Sequence, residues 1–225
     1  MQNDIRTKAL VLRRTNFGEA DRIINFLTEQ GVVSVIAKGV RKEKSKLAGA
    51  VELFTLSEIT VHAGRNNKLG VLTSAKMLEH YGQIVYKLEE LELASMIMKK
   101  ISAVAENTSG SEYFNLLKQI LAALNAGVNP ELVETWFWFN FARIGGEQIN
   151  LVKDVEGNKL DPFCIYVWDS TESALRVQRG GNVGAEEIKL MRLMLASDLK
   201  TVSRVDNVAP KLPTALYIAK VVNKQ

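Results

Sequence analysis

Near residue 84 the apolar residues change period, and that change limits what the chain can fold into. Before it, they run in short stretches bounded by turn formers, as strands do. After it, they recur at three and four, as on one face of a helix. Five β-type runs precede the change: Ala9–Leu12, Arg22–Thr28, Val32–Ala37, Val51–Val61 and Leu69–Met77. Glu29-Gln30-Gly31 is a tight turn in which glycine supplies the positive φ. Ala63-Gly64-Arg65-Asn66-Asn67-Lys68 is a hairpin loop rich in turn formers. Five short strands in about 75 residues suit a small closed barrel, with the five-stranded OB-fold as the expected solution and an SH3-like barrel as the alternative.

The helical part opens with Leu88, Leu91, Ala94, Ile97, Met98, Ile101, Val104 and Ala105 on one stripe. A second helix spans Ser111 to Ala126 and stops at Gly127. Pro130 opens a third, Glu131 to about Ile144, from the position where proline is favoured. Trp136, Phe137, Trp138, Phe139 and Phe141 face all round that helix, which predicts burial at the centre of its domain. Gly145-Gly146 closes it. Residues 147–184 read as irregular, Ala185–Leu199 as helix, and Thr214 to about Val222 as a last short helix. The class is therefore α+β: a barrel domain over residues 1–80 and a mostly helical domain over 81–225, with 147–184 an irregular insertion.

Charge is unevenly spread. Residues 1–80 carry 13 Lys and Arg against 8 Asp and Glu; residues 81–225 carry 16 against 17. The whole surplus sits in the barrel, which points to a polyanionic partner there. Its focus is Lys38-Gly39-Val40-Arg41-Lys42-Glu43-Lys44-Ser45-Lys46, five cations and one acid between two β-type runs. A cationic loop on a rigid scaffold meets a polyphosphate without folding first, and counterion release supplies sequence-independent affinity. The alternative is a solvated loop whose lysines only keep the chain in solution.

Several classes are disfavoured. No apolar run approaches the roughly 18 residues of a membrane span, and the first residues carry no signal-peptide pattern, so a cytosolic protein is expected. A single cysteine, Cys164, excludes an internal disulfide. There is no phosphate-binding P-loop and no Gly-x-Ser-x-Gly, and His62 and His80 have no nucleophile spaced around them. Glu52 and Glu58 are too few for a metal nuclease. The protein is expected not to be an enzyme.

The run Ala9-Leu10-Val11-Leu12-Arg13-Arg14-Thr15-Asn16-Phe17-Gly18-Glu19-Ala20-Asp21-Arg22-Ile23-Ile24 resembles the opening of the RecO family, bacterial recombination and DNA-repair mediators. So does Ala37 to Gly49, and Glu52-Leu53-Phe54 and Leu72-Thr73-Ser74-Ala75 follow in the family's order. Tyr86 to Leu93 and Trp136 to Gly146 resemble its helical part. The resemblance implies an OB-fold followed by a helical domain. It implies binding of single- and double-stranded DNA, annealing of complementary strands, and work with RecR, single-stranded-DNA-binding protein (SSB) and, indirectly, RecA. A nucleoid-associated cytoplasmic location goes with it.

Many relatives carry a four-cysteine zinc module after the aromatic helix. Here Cys164 holds its first position, but Val167, Gly184 and Glu187 stand at the other three. Structural zinc needs four thiolate or imidazole ligands, so no zinc is expected. Packing by Phe163, Ile165 and Trp168 is expected to hold the segment instead, with Cys164 a buried apolar residue.

The candidate DNA-binding residues are Lys38, Arg41, Lys42, Lys44 and Lys46 in the basic loop, Arg13 and Arg14 at the end of the first strand, and Arg65 and Lys68 in the last hairpin. Five phosphate contacts would give a slope of log K against log salt of about −3.5 to −4.5. Few rings are available for stacking; Phe17 is the exposed candidate, while Phe26 and Phe54 are expected in the core. Arg22 is expected in a structural ion pair. The SSB C-terminal tail needs an apolar pocket beside a cation, and Lys99, Lys100 and Lys118 are basic positions on the first two helices. An RNA-binding OB protein and a protein-interaction scaffold with an incidental basic loop are the competing readings.

Overall fold

A computed structural model describes residues 4–62, 64, 69–105 and 110–224. Contacts divide the chain into two compact units meeting in sequence at Asn125 and Ala126. The change from strand to helix near residue 81 therefore falls inside the first unit.

The first unit begins with five strands: β1 (Asp4–Phe17), β2 (Asp21–Thr28), β3 (Gly31–Ala37), β4 (Thr55–His62) and β5 (Gly70–His80). They close a barrel in the order β1-β2-β3-β5-β4, with β4 returning to β1. The β3–β5 pair is parallel and the other pairs are antiparallel. This is the OB-fold order. Inward residues fill the barrel, most of them β-branched or small (Ala9, Val11, Ile24, Val35, Ile59 and Val61), together with Phe26 and Leu72. Strand β1 is much longer than its apolar run because it pairs with β2 along its second half and with β4 along its first. A register shift between Val11 and Arg13 sets an extra residue, Leu12, into the strand as a bulge.

Two helices complete this unit, α1 (Leu88–Ala105) and α2 (Ser111–Asn125). Gly110, just ahead of α2, lies against the β2–β3 turn. A Cβ there would sit 2.4 Å from Gly31 N and 2.4 Å from Thr28 O, so only glycine allows the approach.

The second unit is built around α3 (Pro130–Ile144). Asn129 caps it, accepting from Glu131 N–H at 2.8 Å and Leu132 N–H at 3.2 Å. Trp136, Phe137, Trp138 and Phe139 are all buried, as the all-round aromatic pattern requires. The buried polar side chains of this helix find partners. Asn140 Nδ2 donates to Trp136 O and Met194 O, both at 3.0 Å, and Trp136 Nε1 donates to Ser197 O at 3.0 Å. The remaining helices are α4 (Ala185–Ala196), α5 (Leu199–Val202) and α6 (Leu212–Val222).

The segment expected to be irregular contains a three-stranded sheet: β6 (Asn150–Asp154), β7 (Tyr166–Asp169) and β8 (Ala174–Val177), in the order β6-β8-β7. Strands of four or five residues carry too little periodicity to announce themselves. The expected packing also differs. Phe163 is 94% exposed, Ile165 is exposed and Cys164 is half-buried. Tyr166 takes over the role. Its N–H donates to Val183 O at 2.9 Å, its carbonyl accepts from Val183 N–H at 3.0 Å, and its phenol accepts from Asp161 N–H at 2.7 Å. The donors do not fit zinc: Val167 and Gly184 offer no side-chain ligand, and Glu187 accepts from Gly184 N–H at 2.9 Å at the start of α4.

Candidate nucleic-acid interface

The basic loop leaves β3 after Ala37 and is pinned just after its first cation, Lys38. Gly39 adopts φ +63°, a left-handed turn that a β-carbon would strain. Its N–H donates to Asp21 Oδ1 at 2.7 Å. Val40 is buried in the barrel core. Arg41 N–H donates to Ala20 O at 2.9 Å and its guanidinium to Gly18 O at 3.2 Å, so the loop lies against the β1–β2 turn. Lys42 N–H to Gly39 O and Ser45 N–H to Lys42 O add two local turns. At the far end Leu47 packs on the core, and Ser57 Oγ donates to Ala50 O at 2.7 Å.

Between these anchors Lys38, Arg41, Lys42, Lys44 and Lys46 are exposed. The four lysine side chains have no hydrogen bond or ion pair among the described residues. Four unpaired ammonium groups on an ordered loop whose one acid is Glu43 make a concentrated positive field.

The other candidates differ from one another. Arg13 is exposed beside the β1 bulge and has no carboxylate partner among the described residues. Arg14 is half-buried, and its guanidinium pairs with Glu52. The same carboxylate takes Arg22 Nη1 at 3.2 Å, and Arg22 Nε donates to Asn16 Oδ1 at 3.1 Å. Arg22 is thus ion-paired as expected, through a partner 30 residues away and not through its neighbours Glu19 and Asp21. Arg14, grouped from sequence with the free cations, shares that partner, so part of its charge is already neutralised. Arg65 and Lys68 lie outside the described residues. Phe17, at the end of β1, is 52% exposed; Phe26 and Phe54 are buried.

Sequence reasoning missed Glu52 and Asp21 as organisers of this surface. Glu52 stands in an apolar run with no cation beside it in sequence; its partners stand 38 and 30 residues upstream and meet it only once the barrel closes. Among the described residues no group of three or more His, Cys, Asp or Glu is placed to hold a metal ion, and no helix is long and apolar enough to cross a membrane.

Two family models match the chain. Recombination protein O N terminal covers residues 1–81, and Recombination protein O C terminal covers residues 87–218. Proteins named DNA repair protein RecO are similar along the chain. One from Roseiflexus sp. is 36% identical over 128 residues, spanning 56% of this chain and 44% of its own length. One from Dehalococcoides mccartyi is 30% identical over 211 residues, 90% of this chain and 83% of its own. One from Rubrobacter xylanophilus is 32% identical over 143 residues, 63% of this chain and 57% of its own.

Proposed function

The chain belongs to the RecO family, and on that premise we propose that it is a non-catalytic mediator that binds DNA through phosphate contacts and anneals complementary strands. Family membership gives it a role in DNA repair and recombination. The observation that carries the finer reading is the ordered basic loop with four unpaired lysines. Annealing requires two repelling backbones to be neutralised while base edges stay free to pair. Charge presented on a loop, with few exposed rings nearby, does that for single and double strands alike. Loading of RecA on SSB-coated DNA together with RecR, and capture of the SSB C-terminal tail, complete the proposal. A nucleoid-associated cytoplasmic site of action goes with it.

The test is an annealing assay with complementary oligonucleotides bearing a fluorophore and a quencher. The protein is expected to speed quenching well above the spontaneous rate at low salt, and to lose the effect as salt rises. No acceleration at any salt overturns the reading. A matched RNA pair separates it from an RNA-binding role.

Two further outcomes follow from the same surface and from the small sheet. Glu52→Gln removes the carboxylate shared by Arg14 and Arg22. DNA affinity is expected to rise several-fold, and the salt slope to steepen by about 0.7–0.9 for each arginine that takes up a phosphate. Anisotropy titration across a salt series reads both, and an unchanged slope would show that the two arginines face away from the strand. The segment after α3 is proposed to be metal-free. Metal analysis is expected to return zinc far below one per chain, and EDTA to leave the melting temperature unmoved. Stoichiometric zinc would refute that.

A further inference from the structure

Within the first unit, between the barrel and α1, lies a cavity of about 500 Å³. That size falls within the roughly 300–1,000 Å³ of ligand pockets. Its apolar walls are Leu12 of β1, Leu53 and Phe54 ahead of β4, and Met98 of α1. Two cations flank them from different elements, Arg13 on the strand and Lys99 on the helix. Both are exposed, and neither has a carboxylate partner among the described residues. Ser95 and Ser102 set hydroxyls on the helix wall, one turn to either side of Met98 and Lys99.

Two backbone irregularities meet at this place. The β1 bulge sets the extra residue, Leu12, next to Arg13, and both line the cavity. Bulges recur where a strand re-aims a side chain. Phe54 holds φ +58°, a left-handed conformation that is costly for an aromatic residue, while its carbonyl accepts from Tyr81 N–H at 2.9 Å. Such strain persists only where the surroundings fix it, and it gathers at ligand sites.

We propose that this cavity receives one unstacked nucleobase of a bound single strand, with the flanking phosphates on Arg13 and Lys99. The inference rests on the DNA-binding reading above. A base has flat apolar faces, polar edges and a phosphate on each side along the chain. Apolar walls, two hydroxyls and two cations from different elements match that description part by part. A peptide whose terminal carboxylate is its one anionic group would use one cation and leave the other idle. Bases in a duplex are stacked and paired, so the cavity gives the protein a preference for single strands that the basic loop alone does not supply.

The test uses the whole chain and oligonucleotides with a single 2-aminopurine placed at successive positions. Binding is expected to raise its emission at one or a few positions, because the base leaves its stack and no Trp or Tyr lines the cavity. Filling the helix wall with Ser102→Leu/Ala103→Leu is expected to abolish the rise and weaken single-strand binding roughly tenfold, with duplex binding unchanged. Arg13→Ala/Lys99→Ala is expected to flatten the single-strand salt slope by about 1.4. Thermal melting checks that each variant folds. Unchanged emission at every position, or an equal loss for both DNA forms on filling, overturns the inference. So does competition for the cavity by an acidic peptide with an apolar carboxy-terminal residue that leaves the 2-aminopurine signal intact. If the DNA-binding reading itself fails, wild type binds neither form, a result distinct from all of these.

Discussion

Replacing Lys38, Arg41, Lys42, Lys44 and Lys46 together by alanine is expected to lower affinity for single- and double-stranded DNA on the order of 10³-fold at 0.1 M salt. It should also flatten the salt slope by about 3.5–4.5. The five heads are exposed, and the substitutions keep the anchors at Gly39, Asp21, Val40 and Leu47 and the Arg41 N–H bond to Ala20 O, losing only the Arg41 guanidinium contact with Gly18 O. The loss therefore reads charge and not folding. Wild type, with its five contacts intact, should itself lose roughly 100- to 500-fold between 50 and 200 mM salt. Anisotropy of labelled oligonucleotides measures all of this. A variant slope within one unit of wild type would move the DNA surface elsewhere, to Arg13 and its neighbours or off the barrel.

Gly110→Ala is expected to destabilise the first unit by about 3 kcal/mol, the upper end of ordinary overpacking. The obstacle is backbone on every side: Gly31 N and Thr28 O at 2.4 Å and Gly31 Cα at 2.6 Å from the new Cβ. No rotamer change relieves a clash with a strand turn, so α2 must withdraw or the β2–β3 turn must open. At roughly 2–4 °C per kcal/mol for a chain of this size, the melting temperature should fall by about 6–12 °C. Gly49→Ala is the control. Its Cβ would meet only Met77 Cε at 3.5 Å, an ordinary contact, and its melting temperature should stay near wild type. Equal melting of the two variants would mean the close approach of α2 to the barrel does not hold.

The barrel was legible because β-branched runs separated by turn formers state their number and order. Its strand ends were not. The first strand read from sequence ends near Arg13 and Arg14, yet pairing with β2 carries it on to Phe17. The aromatic helix announced its burial through its composition. The small sheet after it stayed hidden, since a four-residue strand such as Tyr166–Asp169 has no period to detect. Exposed Phe163 shows the same limit in reverse: an aromatic ring predicts burial only where neighbouring elements arrive to cover it. At the candidate site, the cations were plain from sequence, but their pairing was not. Arg14 and Arg13 are adjacent and chemically alike, and a glutamate brought in by the barrel's closure separates their roles.

The anchoring of the basic loop at both ends also bears on speed. A segment already ordered has no conformational search to complete on contact, so encounter is set by diffusion and by the reach of its field. Association at low salt should approach 10⁸–10⁹ M⁻¹s⁻¹ and fall steeply with ionic strength. Contacts made by long, solvated lysines on one face hold briefly, which favours short residence. A protein that arrives quickly and leaves quickly can bring two strands together and vacate them before its own presence hinders the partner that follows.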